Sequence, residues 1–358
     1  MKAEDERHSA ASRSLKRSLE RALRNHRRAG KKLEADPVHD LRVSLRRCRS
    51  LAEGLCAIDP DPIWRRLRKA SKRQQSALSD LRDLQVLESW LKPLRLTAGP
   101  VGEALAKRLK KEERRARRKA RRSLDSFPRG RWKGWVRRLP AHAEHIPANE
   151  PRVTQLALKQ LMRVIDLHNR WVNESQKEAP NLKIWHELRV TVKRFRYMVE
   201  SFLPEKSQAW REKLGQAQDL LGEGHDLDVL RALIVKLSNK KRLRKDENAV
   251  AKALGRVDAA AQKRHDEYAE LVSGSTGSRE REAGADEAAE NTELEFARQP
   301  QLERGSLWDS WRDELLAIVK VSGRGGEESA KSAPRRASHA KAPASRYPGR
   351  PRRISSAT

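Results

Sequence analysis

The sequence predicts an all-α protein, and hydrophobic periodicity, helix punctuation and an internal repeat all support this prediction. Apolar residues recur at spacings of three and four residues in nearly every segment up to about residue 271. The sequence contains no alternating, strand-like runs bounded by turn residues. We therefore expect long helices that pack together in bundles.

Proline marks the ends of these helices, since neither proline nor the residue before it fits easily into a continuing helix. The breaks fall at Asp36-Pro37, Asp59-Pro60-Asp61-Pro62, Ala98-Gly99-Pro100, Phe127-Pro128, Ala179-Pro180 and Leu203-Pro204. The proline breaks and the composition together predict two bundles, at 1–140 and 152–272, joined by a linker at 141–151. After the second bundle they predict a mobile low-complexity insertion at 273–304 and a final helix at 305–321 that returns to the second bundle. The remaining residues, 322–358, are predicted to form a disordered basic tail.

The charge balance predicts an anionic partner. Of the 358 residues, 79 are Lys or Arg and 49 are Asp or Glu, which gives a net charge of +30 at pH 7. Self-repulsion on this scale is tolerable mainly where a partner or counterions neutralise it. The opening segment MKAEDERHSA has acidic residues where a signal peptide needs an apolar core, and no apolar run is long enough to span a bilayer. We therefore expect a cytoplasmic protein without membrane contact.

The two cysteines predict neither a disulfide nor a metal site. Cys48 and Cys56 lie on one predicted helix, where their spacing separates them by about 12 Å, beyond the reach of a disulfide. Two thiols also lack the spacing of a zinc site. We expect both to be packing residues in a reducing compartment, and we expect no metal ion and no cofactor.

An internal repeat fixes the architecture. Residues 39–49, HDLRVSLRRCR, match residues 186–196, HELRVTVKRFR, with six identities in eleven positions. Further along the chain, residues 83–87, DLQVL, match residues 226–230, DLDVL. Because the two matches recur in the same order at similar offsets, the sequence predicts two homologous bundles of similar size.

Each copy of the repeat places a row of basic residues opposite an apolar helix face. Like charges stacked at three- and four-residue spacing destabilise a helix unless an anion lies between them. We therefore interpret each row as three permanent cations and one histidine that face a ligand. The rows are His39, Arg42, Arg46 and Arg49 in the first copy, and His186, Arg189, Lys193 and Arg196 in the second copy.

Further basic residues extend these rows into the following helices. They are Arg65, Arg68, Lys72 and Arg82 in the first half, with Arg211 and His225 at the positions that match Arg68 and Arg82 in the second half. Separately, residues 107–122 contain eleven Lys or Arg and two Glu. This run predicts a second charged surface whose specificity for phosphate is weak.

The duplicated pattern His-x-x-Arg-Val, followed by Asp-Leu-x-Val-Leu, resembles the CHAD family, the conserved-histidine α-helical domains, over about residues 8–320. The resemblance implies two tandem four-helix bundles related by a pseudo-twofold axis, with a basic central channel that binds inorganic polyphosphate. It also implies an association with polyphosphate granules. The implied ligand-facing residues are the two basic rows, with Arg82 and His225 in secondary positions.

We take both rows, their extensions and Arg194, which adjoins Lys193, as candidate polyphosphate-binding residues. Lys193 departs from the first copy, which has Arg46 at the equivalent position. A point charge there replaces a bidentate guanidinium fork. We expect this difference to change the affinity rather than the class of ligand.

The sequence favours a binding protein over an enzyme. The acidic residues that could hold a catalytic magnesium ion each lie beside Arg or Lys at helical spacing, so we expect them to orient those cations. They are Asp40, Asp83, Glu187, Asp226 and Asp228. The sequence also lacks a phosphate-binding loop with its lysine and a nucleophile elbow.

Nucleic acid, bound non-specifically through its phosphates, is the alternative partner. The few aromatic residues argue against base-specific recognition. Trp132 and Trp135 could stack on a base, but we favour the interpretation that they anchor a short helix.

Overall fold

The computed structural model describes residues 9–146, 151–175, 182–240, 243–273 and 306–331. Within these ranges all regular secondary structure is α-helical, which confirms the predicted all-α class. In chain order the helices are α1 Ala10–Lys31, α2 Ala35–Ile58, α3 Pro62–Ala77, α4 Ser79–Leu91, α5 Gly99–Asp125, α6 Arg129–His142, α7 Pro151–Ser175, α8 Leu182–Phe202, α9 Pro204–Ser238, α10 Glu247–Ser273 and α11 Leu307–Lys331.

Local sequence sets the helix boundaries at the predicted breaks. The Asp61 side chain accepts a hydrogen bond from the backbone N–H of Ile63 at 2.7 Å and so caps α3. Pro62 and Pro204 are the first residues of α3 and α9, a position where the missing N–H of proline costs no helical hydrogen bond.

The two copies of the repeat differ in one helix. In the first half, a turn at Leu78 separates α3 from α4. The corresponding segment of the second half is the single helix α9, which is unbroken over 35 residues. The first copy of the motif therefore spans α2 to α4, and the second copy spans α8 and α9.

Two clusters of buried hydrophobic side chains form the core, and each cluster joins both halves of the sequence. The larger cluster contains Leu45 of α2 and Phe195 of α8. The smaller cluster contains Leu105 of α5 and Leu230 of α9. The long helices α5, α9 and α10 contribute to both clusters. Hydrophobic burial therefore connects the halves that the sequence repeat distinguishes.

The chain divides into two units, Met1–Val319 and Lys320–Thr358. Helix α6 ends at His142 and helix α7 begins at Pro151, so both helix ends lie within the predicted linker at 141–151. Helix α11 begins at Leu307, within the predicted final helix at 305–321, and extends to Lys331, into the segment predicted to be disordered. The predicted insertion lies outside the described residues after Ser273.

Several predicted packing residues are buried. Trp132 and Trp135 belong to the larger cluster, so they anchor α6 as we favoured. Cys48 is fully buried and Cys56 is partly buried on the same helix, and both are free thiols. Burial raises the pKa of the Cys48 thiol, which makes it unreactive. No described helix is long and apolar enough to cross a membrane.

Candidate functional site

A cavity of ≈ 370 Å³ lies where α2, α4, α8 and α9 meet. Six of its lining side chains are Lys or Arg, and three are Asp or Glu. The basic residues come from α2 of the first copy and from α8 of the second. The repeated rows therefore face one shared space.

The first-copy row reaches the cavity because the other face of α2 packs into the core. Leu41 and Leu45 are buried, whereas Arg42, Arg46 and Arg49 line the cavity. From the first to the last of these arginines the helix rises about 10 Å. The row therefore presents cations over about two helical turns.

The helix break in the first copy holds Arg42 in place. The Arg42 Nη1 group donates to the Ser79 hydroxyl at 2.6 Å and to the Gln75 carbonyl oxygen at 3.3 Å. Gln75 and Ser79 flank the turn at Leu78, and the Gln75 carbonyl oxygen also accepts from the Leu78 N–H at 3.2 Å and from the Ser79 hydroxyl at 3.3 Å. The turn thus orients Arg42 while Arg42 faces the cavity.

Two further arginines lack some of their hydrogen bonds. The Nε atoms of Arg46 and Arg189 are buried, and neither has a hydrogen-bond partner among the described residues. The Arg46 guanidinium also lies 5.4 Å from the centroid of the Tyr197 ring, a cation–π contact that orients it. Because a buried donor without a partner is costly, these two Nε groups lower the stability of the folded protein.

Two acidic residues at equivalent positions in the copies, Asp83 and Asp226, also line the cavity. Burial raises the pKa of both carboxyl groups, and the charges of Arg42 and Arg189 oppose this rise. The acids thus interact electrostatically with the basic rows, as expected of residues that orient cations. Among the described residues, no group of three or more His, Cys, Asp and Glu could hold a metal ion.

Lys193, the equivalent of Arg46 in the second copy, differs from its prediction as a permanent cation. Burial, followed by repulsion from Arg189 and Arg46, lowers the pKa of the Lys193 ammonium group to about 6. In the free protein at pH 7 the amine is therefore mostly neutral. An arginine cannot lose its proton in this way, so the two copies contribute different kinds of charge.

The histidines of the site also resist protonation in the free protein. Burial lowers the pKa of His39 and His186, and neighbouring basic residues lower it further. The His186 Nδ1 atom lies 3.4 Å from the Nδ1 atom of His225. Burial, and then repulsion from Arg189, lowers the pKa of His225 to about 4. A bound anion would raise all three pKa values, because negative charge stabilises an imidazolium group.

The structure brings many of the candidate residues together. Those that line the cavity are Arg42, Arg46, Arg49, His186, Arg189, Lys193, Arg194 and His225. His39 and Arg82 do not line it, but they interact electrostatically with Arg46 and Asp226 respectively. Arg196 instead forms an ion pair with Glu200 at 2.8 Å.

The remaining candidates are exposed and lie outside the cavity lining. They are Arg65, Arg68 and Lys72 on α3, and Arg211 on α9. Arg68 and Arg211 occupy equivalent surface positions in the two halves. The contribution of these residues to ligand binding stays a prediction.

Sequence reasoning missed several residues that shape the site. Tyr197 lies one helical turn beyond Lys193, and its counterpart at the repeat offset, Ser50, also lines the cavity. The repeat offset was the signal that could have identified this pair. Gln75 and Ser79 gave no signal, because their role depends on the helix break.

The described residues form an all-helical fold, and two copies of one motif share a cationic cavity. These features define a class of duplicated helical proteins whose cavity is electrostatically suited to an anion. A family model described as the CHAD domain matches residues 13–235, and the chain belongs to this family.

Solved structures support the same fold. The CHAD domain from the plant Ricinus communis is similar at 24% identity with a TM-score of 0.53, over 74% of this chain and 92% of that chain. PptA from Streptomyces chartreusis is similar at 16% identity with a TM-score of 0.51, over 74% of this chain and 96% of that chain. No curated protein matches this sequence.

Proposed function

We propose that this protein binds inorganic polyphosphate in the cavity and acts as a binding protein rather than as an enzyme. The convergence of Arg42 and Arg46 from one copy with Arg189 and Lys193 from the other carries this proposal. Guanidinium groups bind phosphate oxygens through strong, charge-assisted hydrogen bonds. In this proposal the copies form two tandem four-helix bundles related by a pseudo-twofold axis, and the cavity belongs to a basic channel between them.

The arrangement of the cations favours a linear polyanion over a single phosphate ion. Each basic row covers successive turns of its helix, so one phosphate group contacts only part of it. A chain of linked phosphates contacts cations of both rows at once. Arg46 and Arg189 both line the cavity, so their guanidinium groups can take part in these contacts.

The acidic residues of the cavity favour binding over catalysis. Asp83 and Asp226 interact with Arg42 and Arg189, and we propose that they orient these cations rather than hold a catalytic metal ion. The cellular role that follows is cytoplasmic, in organising polyphosphate or in associating with polyphosphate granules.

A pair of double variants tests this proposal. The cavity variant carries Arg46→Gln and Arg189→Gln, and the control variant carries Arg17→Gln and Arg163→Gln, which are exposed and absent from the cavity lining, so each removes one arginine from each half. Loss of two charged hydrogen-bonding groups should weaken binding at least about 100-fold. The exposed control pair should stay within about threefold of the wild type. Titration of fluorescent polyphosphate of defined length measures both affinities.

Two results would contradict the proposal. The first is a cavity variant that retains the circular dichroism spectrum and also the polyphosphate affinity of the wild type. The second comes from competition with transfer RNA at matched phosphate concentration. If the RNA displaces polyphosphate and polyphosphate fails to displace the RNA, nucleic acid is the preferred ligand.

A further inference from the structure

We propose that the outward face of α5 is a separate binding surface for duplex DNA, which it contacts non-specifically through backbone phosphates. This α5 cationic face consists of Lys107, Lys110, Lys111, Arg114, Arg115, Arg118 and Arg122. None of these residues lines the cavity. The surface is therefore distinct from the site proposed for polyphosphate.

Packing of α5 directs this face outward. Leu109, Ala116 and Ala120 are buried on the opposite side of the helix, whereas all seven residues of the α5 cationic face are exposed. Small alanines let α5 approach the core closely. The cations are thus held on a helix whose position is fixed by packing.

The acidic side chains near α5 pair with other basic residues. Arg117 forms an ion pair with Glu113 at 2.8 Å, and Lys119 forms one with Asp80 at 2.7 Å. Arg108 pairs with Glu112. No carboxylate among the described residues forms an ion pair with the α5 cationic face. Its seven like charges at helical spacing repel one another, so an external anion would relieve this repulsion.

The shape of the face distinguishes it from the cavity. Its cations extend along about 22 Å of helix and spread over an arc of about 140°. Because the face is convex, its cations diverge, and one thin linear chain contacts only one side of it. The cavity instead directs cations from two helices toward one space.

A B-DNA major groove fits a diverging cationic helix. The groove is about 12 Å wide and admits an α-helix, with phosphates along both walls. The deep, narrow major groove of duplex RNA does not admit one. The α5 cationic face consists of Lys and Arg alone; these side chains can contact guanine, but the face lacks the Asn or Gln that reads adenine, and phosphates are the main acceptors that it meets. These features predict non-specific binding of duplex DNA.

A charge-matched pair of variants tests this inference. The α5 variant carries Lys111→Gln, Arg114→Gln, Arg118→Gln and Arg122→Gln. The control variant carries Lys159→Gln, Arg163→Gln, Lys213→Gln and Lys236→Gln, which are exposed residues on α7 and α9. Both variants lose four positive charges, and glutamine preserves helix propensity.

Fluorescence anisotropy with a labelled DNA duplex of mixed sequence provides the measurement. If seven cations contact phosphates, the wild-type slope of log K against log salt concentration is about −6, and the α5 variant reduces its magnitude to about 3. At low salt the α5 variant should bind at least about tenfold more weakly than the control variant. Polyphosphate affinity should be similar for the two.

Equal DNA affinity of the α5 and control variants would overturn the inference, as would duplex RNA binding as tight as that of duplex DNA. Loss of polyphosphate binding by the α5 variant with retained DNA binding would also overturn it. The cavity variant tests the proposed polyphosphate site independently of this result. The two experiments therefore separate the two surfaces.

Discussion

The two copies of the repeat share a scaffold but differ in the groups they contribute to the cavity. The first copy contributes Arg46, which carries a permanent charge. The second contributes Lys193, whose pKa is about 6, and His225, whose pKa is about 4. A duplicated motif can thus keep its geometry while one copy lines the cavity with arginines alone as basic groups and the other adds a lysine and histidines to its arginines.

The copies also fill the same packing position in opposite ways. Val38 and Leu81 are both buried in the first copy. Their counterparts at the repeat offsets are Trp185 and Gly224. A Cβ atom on Gly224 would lie 2.9 Å from the Trp185 Nε1 atom, so the large indole requires a glycine opposite it. The larger side chain at the first of these positions is therefore matched by a smaller residue at the second, which keeps the packed volume similar.

The largest predicted effect comes from placing one first-copy residue in the second copy. Gly224→Leu forces a side chain against the buried Trp185 and should lower the free energy of unfolding by about 3 kcal/mol. Chemical denaturation followed by circular dichroism measures this change. Adding Trp185→Val, which completes the first-copy pair, should restore part of the loss.

The matched control is Gly215→Ala on the same helix, where an added Cβ atom meets nothing within 4 Å. It should leave stability unchanged or raise it by up to about 1 kcal/mol, because alanine favours the helix. Equal denaturation midpoints for Gly224→Leu and the wild type would refute the predicted size exchange.

The second-largest predicted effect is a pH dependence of polyphosphate affinity. A bound polyanion should raise the low pKa of Lys193, so binding takes up a proton between about pH 6 and the higher pKa of the bound state. Polyphosphate affinity should therefore fall as pH rises above 7, by up to about tenfold per pH unit. Lys193→Arg keeps the charge permanent and should flatten this dependence. Titrations of both proteins between pH 7 and pH 9 make the comparison.

The stability of the ligand-free protein provides a second measure of the protonation of Lys193. The folded Lys193 releases its proton near pH 6, whereas an unfolded lysine holds it until about pH 10.5. Because the unfolded state binds more protons in this window, wild-type stability should rise with pH across it. Lys193→Arg should remove this rise. A pH dependence that is the same in both proteins would exclude the lysine as its source.

The smallest predicted effect exchanges Arg82 and His225, the equivalent residues of the two copies. His225→Arg adds a permanent cation to the cavity lining and should tighten polyphosphate binding about threefold at neutral pH. Arg82→His should weaken it by a similar factor. His145→Arg is the charge control, because His145 is exposed and absent from the lining. A similar gain from His145→Arg would indicate a general charge effect.

Local patterns predicted the all-α class and a basic face on each repeated helix, whereas the meeting of the two rows in one cavity was implied only by the family resemblance. Periodicity and proline breaks depend on neighbouring residues, so they can be read from the sequence. The pKa of Lys193 and the contacts of Arg42 could not be predicted in this way. The first depends on burial among residues from both copies, and the second on a turn at Leu78 that the second copy lacks.

Helix α9 has a consequence for how a ligand can enter and leave. Its residue Leu221 belongs to the larger hydrophobic cluster and its residue Leu230 to the smaller one, so the duplicated halves cannot swing apart as a hinged clamp without opening both. The second half produced alone would leave much of this helix exposed to water. The proposed polyphosphate site is therefore preformed, and we expect exchange of its ligand to depend on side-chain movement and proton transfer.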